Sequence, residues 1–318
     1  MRSFAWFLVL IALGFAAIAV FTYPAWLLIH PYLSVPFHRL GERIGLLALV
    51  GMLFVSARRL GIRDRLSLGY GLPRAAFLKE MTIGLLLGVM TMLLVVGLMS
   101  LLGLLDGSAL RALAPTALAK IALNRLLSGF AVAAIEETLI RGAMFTAIER
   151  ESGATLAVLL TSVLYAASHF LASFHIAPAE VLASSGVDLL VGTLKAFAHP
   201  LHIVDAFMCL FAVGVALSVV RIINGNIAAC LGLHAGWVWV MLMVHEVSQP
   251  VRTARLGFLL SQFDGFVGWL VFACTVLIAL ALRMFYSRRM AAASQSKGSP
   301  CAGSVGRAQE CPMAPRIR

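Results

Sequence analysis

Three stretches of this sequence carry side chains that could do chemistry. The first, Ala134-Ile135-Glu136-Glu137-Thr138-Leu139-Ile140-Arg141-Gly142, sets two carboxylates side by side with an arginine four residues after the second. On a helix Glu137 and Arg141 face each other at i,i+4 and can pair, while Glu136 points about 100° away, toward a different neighbour. One acid is then neutralised and the other is left for chemistry. The second stretch, Tyr165-Ala166-Ala167-Ser168-His169-Phe170, supplies an imidazole. The third, Leu233-His234-Ala235-Gly236-Trp237-Val238, supplies another, with small residues beside it that allow close helix approach. A carboxylate that activates water, an imidazole that positions it and a further donor for the oxyanion make a set suited to hydrolysis. Each part also has a plainer account. The carboxylates fit a solvated face running on to Glu149, Arg150 and Glu151, and a lone intramembrane histidine is usually a helix–helix hydrogen-bonding residue. No serine-hydrolase elbow, HExxH helix or glycine-rich phosphate loop is present.

The elements that must hold these residues are set by composition. The chain has 318 residues, 61% hydrophobic and 12% charged, with a mean hydropathy of +0.96. A soluble domain carries about twice that charge, so an ordinary cytosolic enzyme and a disordered chain are excluded. Apolar segments run over about 4–22, 41–57, 81–105, 116–140, 154–171, 203–223, 227–244 and 266–286, most of them near the ~20 residues that cross a bilayer. The expected fold is an all-α, polytopic helical membrane protein of about eight transmembrane helices. Its parts are residues 1–115 (N-terminal helices and a basic loop), 116–245 (the core bearing the three stretches), 246–286 (the last helix) and 287–318 (a basic, disordered tail). The first segment, 4–22, reads as a retained span, with a signal peptide as the alternative.

Charge supports an orientation. The formal net charge is +11, and the loop after the second segment holds Arg58, Arg59, Arg63, Arg65, Arg74 and Lys79. Such loops mark the cytoplasmic side, which puts both termini in the cytoplasm; a bacterial inner membrane is the expected location. The basic residues answer to topology and anionic lipid, so no nucleic-acid partner is expected. The loop 174–202 carries one lysine and no arginine, as an outer loop should, whereas Arg252 and Arg255 sit on that same side against the rule. Asp205 reads as an N-cap. His175, His199, His202 and His245 read as solvated or interfacial. The five cysteines, Cys209, Cys230, Cys274, Cys301 and Cys311, have no CxxC or CxxH spacing, so neither a disulfide framework nor a zinc knuckle is indicated.

Depth can be counted. Glu136 lies 16 residues before Ser152 and His169 lies 17 after it, so across a hairpin turning near Ser152-Gly153 they stand level. His234 lies 9 residues after Gly225. The three can meet only if the turn around 149–153 projects about 10 Å beyond the membrane core, which would put the site in the cytoplasmic half of the bilayer.

At these residues the sequence resembles the CPBP family, which joins type II CAAX prenyl endopeptidases with bacteriocin-processing and Abi-type proteins. The family pattern is EExxxR, FxxxH and HxxxN on successive core helices. Glu136 to Arg141 completes the first motif, and Tyr165 to His169 matches the second with Tyr for Phe. His234 to Val238 matches the third with Val for Asn, which removes a polar donor; the Trp237 indole is a candidate substitute as oxyanion donor. The resemblance covers roughly 116–244. It implies an intramembrane endopeptidase acting on a membrane-associated protein or peptide, with Glu136 as base, His169 and His234 completing the site, and Glu137 and Arg141 in support. No cofactor is required in that reading, although one glutamate and two histidines could instead hold zinc. Two other functions remain open: a catalytically silent immunity or assembly partner, for which Val238 argues, and a transporter using Glu136 and His169 as a proton relay.

Overall fold

The computed structural model describes residues 1–170 and 174–297. The expected tail from 298 onward, with Cys301 and Cys311, lies outside the described residues. The helices are α1 (Arg2–Ile29), α2 (Phe37–Leu60), α3 (Arg74–Leu101), the short α4 (Ser108–Ala112), α5 (Pro115–Glu136), α6 (Phe145–Ser152), α7 (Ala154–Ser168), α8 (Ser185–Leu194), α9 (Val204–Asn224), α10 (Ala228–Val247) and α11 (Trp269–Lys297). A π-helical segment, Glu137–Met144, joins α5 to α6 without a break. Among the described residues seven helices, counting α5 through α6 as one, are long and apolar enough to cross a membrane. The chain is an all-α, polytopic membrane protein.

Helices satisfy their own backbone polar groups, which is why apolar segments of this length adopt them. What joins helix to helix is close approach at small residues. A Cβ added at Gly232 of α10 would stand 1.9 Å from the Met81 carbonyl oxygen of α3, and one at Gly84 of α3 would stand 2.3 Å from that of Ala229. On another face of α10, Gly129 of α5 lies so near that a Cβ would meet the Ala235 oxygen at 2.9 Å. The Trp239 indole donates across the same contact to the Ala122 carbonyl at 2.9 Å, and Arg125 pairs with Glu246. Helix α10 is thereby the central element, with α3 and α5 against it, α7 and α11 against α9, and α1 against α2.

The two ends of the bundle differ. The basic loop 61–73 gathers at one end with the α6–α7 and α9–α10 turns. The Gly69 carbonyl accepts from the Ile227 N–H at 3.1 Å, and Arg150 donates to the Gly61 carbonyl at 2.6 Å. Within that loop the Ser67 N–H donates to Asp64 at 2.7 Å and holds its carboxyl below the usual carboxylate range. At the opposite end the two-residue strands β1 (Leu105–Asp106) and β2 (Gln249–Pro250) pair antiparallel, closing the 248–268 loop onto the end of α3.

Several expectations are corrected. The fifth apolar segment forms only the 15-residue α7, short of a bilayer crossing, and His169 lies just past its end as the C-cap. The 174–202 stretch is not simply an outer loop: it contains α8, which packs on α1 so closely that a Cβ at Gly186 would meet the Ala19 oxygen at 2.3 Å. His175, by contrast, is exposed as expected, with its ring 4.0 Å from that of His38. Asp205 is no N-cap. It sits inside the first turn of α9, which begins after Ile203, and accepts the N–H of Ala206 at 2.8 Å. The basic tail does not begin at 287, because α11 runs on to Lys297, tied to α3 by a two-pronged Arg289–Glu80 pair at 2.6 Å.

Candidate active site

The π-helical segment carries the first motif. A π turn inserts an extra residue into the helical ladder and changes the angle between residues on either side, a feature common at functional sites. Glu137 and Arg141 are fully buried there, with the guanidinium donating to Glu137 Oε1 at 3.0 Å. The same guanidinium reaches the Gly214 carbonyl of α9 at 3.4 Å and lies 4.4 Å from the centre of the Tyr165 ring of α7. Two buried charges are tolerable in an apolar interior only when paired this closely. The expected pair is present.

His234 is the hinge of the site. Its Nδ1 lies 2.8 Å from Glu137 Oε1, and its Nε2 lies 3.9 Å from Glu136 Oε2. A carboxylate already bound to an arginine only accepts, so the ring proton belongs on Nδ1 and Nε2 presents its lone pair. The two glutamates therefore do not turn to separate neighbours, as their 100° offset suggests; they flank one imidazole, whose two nitrogens point in different directions. Their exposure still separates them. The Glu137 side chain is fully buried, that of Glu136 is 29% exposed, and Glu136 Oε2 has no hydrogen-bond partner among the described residues.

His169 joins from α7. Its Nδ1 donates to the Tyr165 carbonyl one turn back, at 2.8 Å, which leaves Nε2 as the unprotonated ring nitrogen. The Tyr165 ring lies edge-on to both imidazoles, with centroids 4.6 Å from His169 and 5.9 Å from His234. That is the physical use of an aromatic four residues before the histidine: it wedges two imidazoles and a guanidinium into one cluster. No hydrogen bond or ion pair among the described residues joins His169 to Glu136 directly.

Both histidines and Tyr165 line a cavity of about 140 Å³ whose other walls are mostly apolar side chains of α3, α9, α10 and α11. Glu136 is not among its lining residues and reaches it through His234. The cavity runs from the histidines past Leu210 and Met241 to Phe263 and Phe266 of the 248–268 loop, toward the end opposite the basic loop. The histidine itself sits less than two turns from the start of α10, in the third of that helix nearer the basic end. From Glu136 the π-helical segment and α6 run 16 residues to Ser152, whereas His234 stands 9 residues after Gly225 of the α9–α10 turn.

Two details alter the expected oxyanion site. The Trp237 indole N–H is already donated to Thr91 Oγ1 of α3 at 3.0 Å. Val238 lines the cavity where the family pattern has its amide, and offers no donor. Among the described residues no group of three or more His, Cys, Asp or Glu converges closely enough to hold a metal ion. One bond had no signal in the sequence: Tyr70 of the basic loop meets Thr138 at 2.6 Å, linking that loop to the π-helical segment.

No curated protein and no solved structure matches the chain. A family model does match residues 118–240, under the description Rce1-like, type II CAAX prenyl endopeptidase. That interval begins in α5 and ends in α10, and so encloses the Glu136–Glu137–Arg141 motif, Tyr165, His169 and His234. With the motifs assembled around one imidazole, residues 118–240 of the chain are similar to the Rce1-like type II CAAX prenyl endopeptidase family, in line with the resemblance that the motifs carry.

Proposed function

We propose that the protein is an intramembrane endopeptidase that hydrolyses a peptide bond of a membrane-associated protein or peptide. The observation that carries this reading is the arrangement at His234, with a buried, arginine-paired Glu137 on Nδ1 and an unpartnered, partly exposed Glu136 beside Nε2. Glu137 fixes the tautomer, as the orienting acid of a catalytic histidine does. A water held between Glu136 and His234 Nε2 gives up a proton to the carboxylate as its oxygen attacks the scissile carbonyl carbon. The proton then passes to the departing amine as the C–N bond breaks. Between these two steps, in the tetrahedral intermediate, that same proton is held on His234 Nε2, 3.9 Å from Glu136 Oε2, and the imidazolium so formed donates the oxyanion its hydrogen bond, because Val238 supplies none. The basic end faces the cytoplasm in this reading.

The deciding experiment compares membranes containing the protein with membranes containing Glu136→Gln. A peptide product that accumulates only with the former supports hydrolysis; identical product profiles overturn it. A metal-assisted variant has one observation in its favour: both histidines have Nδ1 committed to an oxygen acceptor, the pattern seen behind metal-ligating imidazoles. The ligands would have to be Glu136, His169 and His234, which do not converge closely enough in this arrangement. We favour the metal-free reading and expect purified protein to contain well under one zinc per chain; stoichiometric zinc whose removal reversibly abolishes cleavage would establish the other.

A further inference from the structure

One charged group of the cavity has no part in the chemistry above. Asp264, in the loop between α10 and α11, lines the same space as His169 and His234, and the lining contains no lysine or arginine. Its carboxylate is held in place: Oδ1 accepts the N–H of Phe266 and of Val267, both at 2.9 Å. None of the ion pairs among the described residues involves it. Arg252, in the same loop, donates to the Gln262 carbonyl at 3.4 Å. Between the histidines and this acid the walls are apolar, with Val95, Leu210, Met241 and Val271 among them. Along α10 the cavity extends from His234 to Met241, about 10 Å at the helical rise.

A carboxylate at one end of an apolar cavity asks for a cation, and the apolar walls ask for a hydrocarbon stem. We infer that this cavity is a specificity pocket for a substrate residue with a long aliphatic stem and a cationic tip, lysine or arginine, and that Asp264 reads the charge. The inference rests on the hydrolysis proposed above for its biological meaning, but the pocket itself can be tested apart from it. An anionic group in the same position, such as a chain-terminal carboxylate, would be repelled.

The test uses the purified full-length chain in nanodiscs. Calorimetric titration with n-butylammonium, n-butanol and butanoate separates the cation from its stem, since n-butylammonium carries the four-carbon stem and ammonium of lysine. The expected result is binding of the ammonium about ten-fold tighter than the alcohol, and weaker binding still of butanoate. Asp264→Asn keeps an oxygen to accept the Phe266 and Val267 N–H groups and should erase the ammonium's advantage. Equal affinities for ammonium and alcohol, or an advantage that survives in Asp264→Asn, overturn the assignment. If Asp264→Asn does not fold, the three probes on the unmodified chain decide alone. In parallel, a complex peptide mixture is digested with the unmodified chain and with Glu136→Gln. Cleavage products that share lysine or arginine at one fixed position support the pocket's role in selection. Cation-selective binding without cleavage overturns hydrolysis and leaves the pocket standing, whereas cleavage with no preference for cationic residues overturns the pocket and leaves hydrolysis standing.

Discussion

At the scale of single residues, the two adjacent glutamates have opposite fates because their surroundings differ. Glu137 is locked between Arg141 and His234, so its removal strands a buried cation. Breaking such a pair by deleting one partner costs about 3–5 kcal/mol. Glu137→Gln and Arg141→Ala should therefore lower the yield of folded, membrane-inserted protein, read by size-exclusion chromatography after detergent extraction. Glu136 holds up nothing comparable. Glu136→Gln should preserve that yield while reducing cleavage by about 10²–10⁴-fold, the range for loss of a general base. Normal cleavage by Glu136→Gln would remove it as the base. His169 differs again: with Nδ1 already satisfied by its own helix, His169→Ala should leave folding nearly intact and act on turnover.

At the scale of elements, the site depends on how closely α10 can approach its neighbours. Gly232 and Gly236 present bare backbone to α3, and a Cβ at Gly236 would lie 2.8 Å from the Leu85 oxygen. Those glycines bracket His234. Pushing α10 away from α3 would therefore move the imidazole relative to Glu136, which rides on a different helix. Overpacking a tight contact costs typically 1–3 kcal/mol, and here the obstacle is backbone, which has no rotamer to change. Gly232→Ala should lower the thermal midpoint of the purified protein and reduce cleavage more than the stability loss explains. An unchanged midpoint would mean that the α3–α10 contact yields easily. The π-helical segment belongs to this scale as well, because it is where the helix carrying both glutamates meets the Tyr70 bond from the basic loop.

At the scale of the whole molecule, the bundle has a basic end and an end closed by the β1–β2 pair, and the cavity beside the histidines leads to the second. The reacting groups nonetheless sit nearer the basic end. Water and substrate thus need not share a route. Accessibility gives a direct check of orientation. In a background lacking the five native cysteines, Ser152→Cys at the basic end should react with an impermeant thiol reagent only when the cytoplasmic face is exposed. Glu180→Cys, in the exposed stretch before α8, should react from the outer face. Reversed labelling of the two would invert the proposed topology.

Much of this protein follows from its sequence because a bilayer leaves few choices. Apolar runs of about twenty residues become helices, and Glu137 with Arg141 must pair because neither can be buried alone. The count that set Glu136 level with His169 needed only the position of one turn, while their meeting with His234 was left to how far that turn projects. The limits are equally physical. Residue spacing on an ideal helix separates Glu136 from Glu137, and only a π-helical segment and a two-sided imidazole put both against His234. The composition of 174–202 suggests a loop, yet α8 is apolar enough to pack on α1 while too short to register as a span. Whether the Trp237 indole is available depends on Thr91, a residue 146 positions away brought near by glycine-mediated contact of α3 with α10. Asp264 carries no local mark of function, since an aspartate between Phe263 and Gly265 reads as a turn residue; the closure of its loop over the histidine cavity is decided in three dimensions. Periodicity and hydropathy report what each segment needs from its solvent, while the partners of a side chain depend on which helices pack together, which is a property of the assembled bundle.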